Sequence, residues 1–189
     1  MAKPVFRRGE GRARVLEAAL ALFADHGISG TSLHMIAETL GVTKAAVYYQ
    51  FQNKDDIVLA VFNPVFEQMA TFIAAAQARA SRAAQLDAAL VGLVDLVVDH
   101  RRIVAVLRGD PAVTRFVQAH EPFLDLIARL HQLLAGEDPG PSVQIAVAMM
   151  GGGLMLSGAD PDLADLGDET MRRELLHLAR ALLGASAGR

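Results

Sequence analysis

The sequence predicts an all-α chain, and three observations carry that expectation. Apolar residues recur at intervals of about three and four through successive segments, the period of one helical face. The composition is alanine-heavy and poor in aromatics, with eight Phe, two Tyr and no Trp in 189 residues, which favours helices because Ala is the best helix former while aromatics favour strands. No alternating apolar stretch bounded by turn residues competes with this reading. With 52% apolar and 21% charged residues the chain can bury the core of one or two domains, and it is neither fibrous nor low in complexity.

The first helix is expected from about Gly11 to His26, with Val15, Leu16, Ala19, Leu20, Leu22 and Phe23 on one stripe and Gly27 as its stop. Thr31 caps a second helix whose inward positions are Leu33, Ile36, Ala37 and Leu40, and Gly41 ends it as the left-handed residue of a sharp turn. Thr43 caps a short third helix, Lys44 to Gln50, with Val47 and Phe51 turned inward. Asn53 caps a fourth that reaches about Ala80, with Asp55 and Asp56 against its positive dipole end. Pro64 lies inside that helix, where it removes a hydrogen bond to Ala60 and crowds the carbonyl, so a kink or break is expected near Asn63. Further helices are expected over about 86–108, 111–119, 122–135, 142–158 and 168–183, punctuated by Asp110-Pro111, Pro122, Gly136 to Pro141 and Gly158 to Gly167.

Charge is unevenly placed. Residues 1–54 hold seven Lys or Arg against four Asp or Glu, whereas residues 55–189 hold eleven against seventeen. A basic surface able to meet phosphates is therefore confined to the first quarter of the chain, within an overall net charge of −3. The absence of Cys excludes disulfides, thiolate zinc sites and thiol nucleophiles. There is no N-terminal apolar signal core, and the longest apolar run, Ile145 to Leu156, is short of the roughly 20 residues a spanning helix needs, so a soluble cytoplasmic protein away from the membrane is expected.

Residues 31–51 place a small residue, Ala37, where two helices must approach closely, a Gly four residues later for the turn, and apolar Val47 ten after Ala37. That is helix-turn-helix spacing: the second helix must enter a major groove about 12 Å wide while the first braces it across the backbone. The same spacing also occurs in plain helical scaffolds.

The wider stretch from Arg12 to Val61 resembles the N-terminal DNA-binding domain of the TetR family of transcriptional regulators, through Ile36-Ala37, Gly41-Val42-Thr43-Lys44, Val47-Tyr48, Phe51 and Asn53-Lys54. Gln50 departs from the His or Tyr that many members place before the Phe. The resemblance implies a three-helix helix-turn-helix domain over residues 1–54 and a helical ligand-binding and dimerisation domain over residues 55–189. It further implies a homodimeric regulator, most simply a repressor, whose recognition helices enter successive major grooves of a palindromic operator about 34 Å apart. A small, mostly apolar effector would release it. An activator, or a regulator of the same fold that answers to no ligand, is the alternative.

Exposure argues the roles in the recognition segment. Lys44, Ala45, Tyr48 and Tyr49 are the side chains that Val47 and Phe51 leave on the groove side: Lys44 for a guanine edge or a phosphate, Ala45 for a thymine methyl, the tyrosine hydroxyls for phosphate oxygens. Packing partly inward is the competing role of Tyr48. Thr31, Ser32 and Thr43 stand at helix starts, where amides and hydroxyls bind phosphate, capping being their other role. The resemblance makes Lys54 a phosphate-binding lysine, and Arg7, Arg8, Arg12 and Arg14 form a basic arm that enters the minor groove, touches the backbone or does neither.

In the second domain, residues 142–158 are apolar all round and hold three consecutive glycines, which destabilise an isolated helix by about 1 kcal/mol each relative to Ala. Close helix approach compensates, and by the resemblance the last two helices form a four-helix dimer interface through Ala148, Gly152, Leu156, Leu175, Leu178 and Leu182, an intramolecular core being the other role, which some of them must serve as well. Between Val61 and Leu134, the apolar Phe66, Met69, Val97, Phe116 and Phe123 with the polar His100 and His120 either fill a core or line a ligand pocket. The histidines match no metal-ligand spacing, and no nucleophile elbow, phosphate loop or carboxylate pair is present, so no metal, no cofactor and no enzymatic activity are expected.

Overall fold

In the computed structural model, which describes residues 10–187 apart from the side chains of 107–109 and 185–187, helix α1 (Glu10–Gly30) buries Val15, Ala19 and Phe23. Its regular geometry is interrupted at Gly27 (φ 72°, ψ 165°), the expected stop, after which the chain makes one further turn. That backbone conformation is almost confined to glycine. Helices α2 (Leu33–Thr39) and α3 (Lys44–Gln50) follow, then α4 (Lys54–Gln77), α5 (Arg82–Asp99), α6 (Arg101–Gly109), α7 (Pro111–Gln118), α8 (Glu121–Ala135), α9 (Pro141–Gly158) and α10 (Asp168–Ala187). A 3-10 turn, Pro161–Leu163, precedes α10, and no strand occurs among the described residues, so the chain is all-α.

Helix α4 is the centre of the fold and packs on α1, α5 and α8. It starts at an Asn53 cap whose Oδ1 accepts from the Asp56 amide at 2.8 Å. Of the kink or break expected near Asn63, the break does not occur, and the helix runs through Pro64. The reason is burial on both sides: Val61, Phe62, Val65, Phe66 and Met69 are all enclosed, at about 1.5–3 kcal/mol each, against roughly 3 kcal/mol for an interior proline. By length and composition α4 is apolar enough to cross a membrane, but here those side chains supply the core.

The expected single helix over 86–108 is two. It starts earlier, at a Ser81 cap, and breaks at His100 (φ −116°, ψ 31°), which ends α5 and begins α6. A side-chain network, rather than an apolar pattern, marks the break. The Gln68 amide nitrogen donates to Asp99 Oδ2 at 3.0 Å, and its carbonyl oxygen lies 2.7 Å from His100 Nε2. Two glycines admit close neighbours to α5: a Cβ at Gly92 would lie 2.3 Å from the Phe72 ring, and one at Gly158 would lie 2.5 Å from Val97 Cγ1.

Polar ties hold the outer helices. Arg82 donates to the Leu133 and Leu134 carbonyls, closing the C-terminus of α8. Arg172 of α10 pairs with Asp95 and Asp99 of α5. Desolvation pulls its guanidinium pKa down, but the hydrogen bonds and charges of those two carboxylates outweigh it and raise the pKa above the usual value. The expected boundary between residues 54 and 55 falls in the first turn of α4, a helix that reaches from the α1–α2 junction to α8.

Candidate functional site

The helix-turn-helix closes around small and apolar contacts. Gly41 takes φ 66° with no atom within 4 Å of where a Cβ would stand, so the dihedral alone demands glycine. Its amide donates to Glu38 O and the Val42 amide donates to Ala37 O, both at 3.0 Å. Ala37, Val42 and Val47 are buried, which seats α3 on α2. Helix α3 starts at Thr43, whose Oγ1 accepts from the Ala46 amide at 3.2 Å, and ends at buried Phe51.

With Val47 and Phe51 inward, Lys44, Ala45, Tyr48 and Tyr49 all reach solvent. Tyr49 is 87% exposed and Tyr48 44%, the latter with the Lys44 ammonium 5.6 Å from its ring centre. Ser32 and Thr43 are exposed as well. Each caps its helix, Ser32 Oγ accepting from the Met35 amide at 3.2 Å.

Thr31 and Lys54 differ from expectation. Thr31 is 2% exposed and does not cap α2; its hydroxyl is directed to Gly27 O at 2.8 Å and Leu22 O at 3.1 Å, so Ser32 caps instead. An enclosed hydroxyl bound to carbonyls has no path to a phosphate, and its role is to pin the end of α1. The Lys54 ammonium donates to Ile28 O at 2.9 Å and Thr31 O at 3.2 Å, which occupies two of its three protons. Arg7 and Arg8 lie outside the described residues. Arg12 stacks its guanidinium 4.3 Å from the Phe51 ring centre beside the end of α3, above a groove of about 710 Å³ that Gln50, Gln52 and Asn63 also line.

The expected ligand residues are brought together only in part. Phe66 and Phe123 stack with ring centres 3.6 Å apart, and Phe116 and His120 lie 4.2 Å apart beside them. His120 Nδ1 lies 2.7 Å from Phe116 O, which its N–H satisfies. Val97 is fully buried against Gly158, Met69 is buried in α4, and His100 is engaged by Gln68. These residues pack as core in the present conformation. A recess of about 300 Å³ lies apart from them, at the α1–α6 junction.

The α9–α10 surface is apolar and open. Ala148, Gly152, Leu156 and Leu178 are exposed, Leu156 at 51% and Leu178 at 61%, and Leu182 is half-buried. Leu175 departs from the expected interface: it is 7% exposed and lies with Met171, Ala179 and Leu183 in the protomer's own core. Ile145 and Met149 are 59% and 62% exposed and continue the stripe through Gly152 and Leu156. Their spacing of four, seven and eleven was the signal that could have found them. A Cβ at Gly151, Gly152 or Gly153 would meet nothing within 4 Å, so no intramolecular neighbour requires those glycines.

Residues 15–61 match the profile of bacterial regulatory proteins of the tetR family. Among curated proteins, the transcriptional regulator AcrR of Shigella flexneri is 46% identical over 48 residues, 25% of this chain and 22% of that protein. The regulator TtgR of Pseudomonas putida is 41% identical over 58 residues, 31% of this chain and 28% of that one. The matches thus span under a third of those relatives' own length. Solved structures extend the likeness over most of the chain. The ketosteroid transcriptional regulator KstR2 of Mycobacterium tuberculosis superposes with a TM-score of 0.71 over 97% of both chains at 17% identity, a likeness of fold. NalD of Pseudomonas aeruginosa, the secondary repressor of the MexAB-OprM multidrug efflux pump, gives 0.62 over 91% of this chain and 96% of its own at 27% identity.

Proposed function

From the match of residues 15–61 to the tetR family of bacterial regulatory proteins, we propose that the chain is a member of that family and a homodimeric repressor of transcription that binds a palindromic operator through α3. The observation that carries this reading is the α3 surface. Lys44, Ala45, Tyr48 and Tyr49 project from a helix whose opposite side is locked by Val47, Ala37 and Gly41, which is the rigid presentation major-groove readout needs. Lys44 and Tyr49 contact base edges or phosphates, Ala45 offers a methyl to thymine, and Ser32 and Thr43 present helix starts to phosphate. The two copies join through α9 and α10, covering Ile145, Met149, Leu156 and Leu178, and the α9 glycines let the helices approach closely. NalD's role as a repressor supports repression as the readout. The relatives are transcriptional regulators, which supports a role without catalysis, and a regulator of this kind would work in the cytoplasm, where its operator is.

An apolar effector would enter among α4, α7 and α8, parting Phe66 from Phe123, with His120 as the polar handle that orients it. The closeness of that stack favours the second reading, a regulator that answers to no small molecule. Selection of bound sequences from random DNA by the purified protein tests the first claim: a palindrome with half-sites one turn apart supports it, and no preferred sequence overturns it. Release of that DNA by members of an apolar compound library then separates the two readings.

A further inference from the structure

Operator binding requires the helix-turn-helix to be held at a set angle to the rest of the molecule, and among the described residues a polar contact reaches from the α6–α7 junction to the entry of that unit. Asp110 ends α6 and caps α7, where its Oδ1 accepts from the Ala112 amide at 2.7 Å. Its other oxygen, Oδ2, accepts from the backbone amide of Ile28, across 82 positions of chain. Ile28 needs that acceptor. Gly27 leaves helical geometry, so the turn that Ile28 opens begins with an amide that has no partner in its own turn. A Cβ at Gly27 would stand 3.0 Å from Oδ2, so glycine there serves both the dihedral and the approach of the carboxylate.

The turn that Asp110 grips is the same turn that Thr31 and Lys54 grip. Gly27 O accepts from the Thr31 hydroxyl, and Ile28 O accepts from Lys54. Four residues beyond Ile28 the Ser32 cap starts α2. We propose that Asp110 is a positioning residue for DNA binding, a latch from the second domain that sets how the helix-turn-helix sits. The contact can exchange for water, because Asp110 is half-buried beside the 300 Å³ recess lined by Phe23, His26, Ser29 and Val106. The latch rests on the regulator reading above for its purpose, and on geometry for its existence.

The test uses the full-length protein and two variants that approach the latch from opposite sides. Asp110→Asn keeps a good α7 cap but turns an amide toward, or leaves no second oxygen for, Ile28; Gly27→Ala, which also strains the φ 72° backbone, pushes on Oδ2 with the α7 cap untouched, so Asp110→Asn decides where the two differ. Amide exchange by NMR should quicken at Ile28 by about tenfold in Asp110→Asn, while Ala112 and Val113 stay protected. Spin labels at Thr39→Cys and Leu124→Cys, unique because the chain has no Cys and diluted into unlabelled protein, should give a broader distance distribution in both variants. Affinity for the selected operator should fall by about 3–10-fold in both. Unchanged exchange at Ile28 overturns the latch. Faster exchange with unchanged label distances and affinity also overturns it, leaving Asp110 as the cap of α7 and a local acceptor for Ile28 with no positioning role. Wild-type protein that selects no DNA overturns the regulator reading, while exchange and label distances still decide whether the latch positions the unit.

Discussion

Helix α3 turns Val47 inward and shows Lys44, Ala45, Tyr48 and Tyr49 to solvent, whereas helix α9 buries Ala146, Val147, Met150 and Leu154 and still shows Ile145, Met149 and Leu156. The first surface is polar and stable in water without any partner. The second leaves a row of large apolar side chains beside a glycine run with open space where side chains would stand, a surface that something laid against it would complete. On the proposed reading, α3 meets a polar polymer that comes and goes, while α9 and α10 are covered continuously by a second copy.

The comparison breaks most sharply at α10. Leu178→Glu, exposed in the protomer but central to the apolar face, should weaken dimerisation at least about 100-fold by burying a charge without a partner. Sedimentation equilibrium should show monomers with helical circular dichroism retained; a dimer of wild-type affinity would remove α10 from the interface. Leu175→Ala, one turn away but facing inward, should instead lower unfolding free energy by about 2–3 kcal/mol, read as a shift in urea midpoint. An unshifted midpoint would contradict its placement in the core.

On the α3 side, Tyr49→Ala should cost about 1–2 kcal/mol of operator affinity with the melting temperature unchanged, because an 87% exposed ring contributes nothing to the core. The smallest effect sharpens the role of Lys54. With two protons on the carbonyls of Ile28 and Thr31, Lys54→Ala should lower stability by about 1 kcal/mol, and the salt slope of DNA binding should fall by less than one. A slope change of a full unit with unchanged stability would assign the ammonium to phosphate.

What the chain sequence made legible follows the range of the forces involved. Gly41, Thr43, Val47 and Asn53 act within four residues of themselves, through dihedrals and caps, and α3 and the start of α4 lie where those residues predict. The unbroken course of α4 through Pro64 was not legible, because the burial that overrides proline comes from α1, α5 and α8. Nor was the division at His100, which depends on Gln68 from another helix. Thr31 has the residue type of a cap and yet is turned to Gly27 and Leu22, because Ser32 stands one place nearer the helix. Phe66, Phe116, His120 and Phe123 were recognisable as an apolar group with a polar handle, but only packing decides whether such a group is filled or hollow. The inward turn of Leu175 and outward turn of Leu178 depend on which face α5 covers, a relation between segments far apart in the chain.

The glycine run of α9 carries a consequence for protein abundance. Three adjacent glycines weaken that helix by about 1 kcal/mol each relative to alanine, and within one protomer open space stands where their side chains would be, so no close approach there requires them. If a second copy supplies that approach, the order of α9 becomes a function of concentration, and the melting temperature should climb as the protein is made more concentrated. Freshly synthesised chains at low copy number would then pass through a state with a loosened α9, open to proteases, until another copy is met. Turnover of the unpaired chain would hold its level to what dimers can shelter.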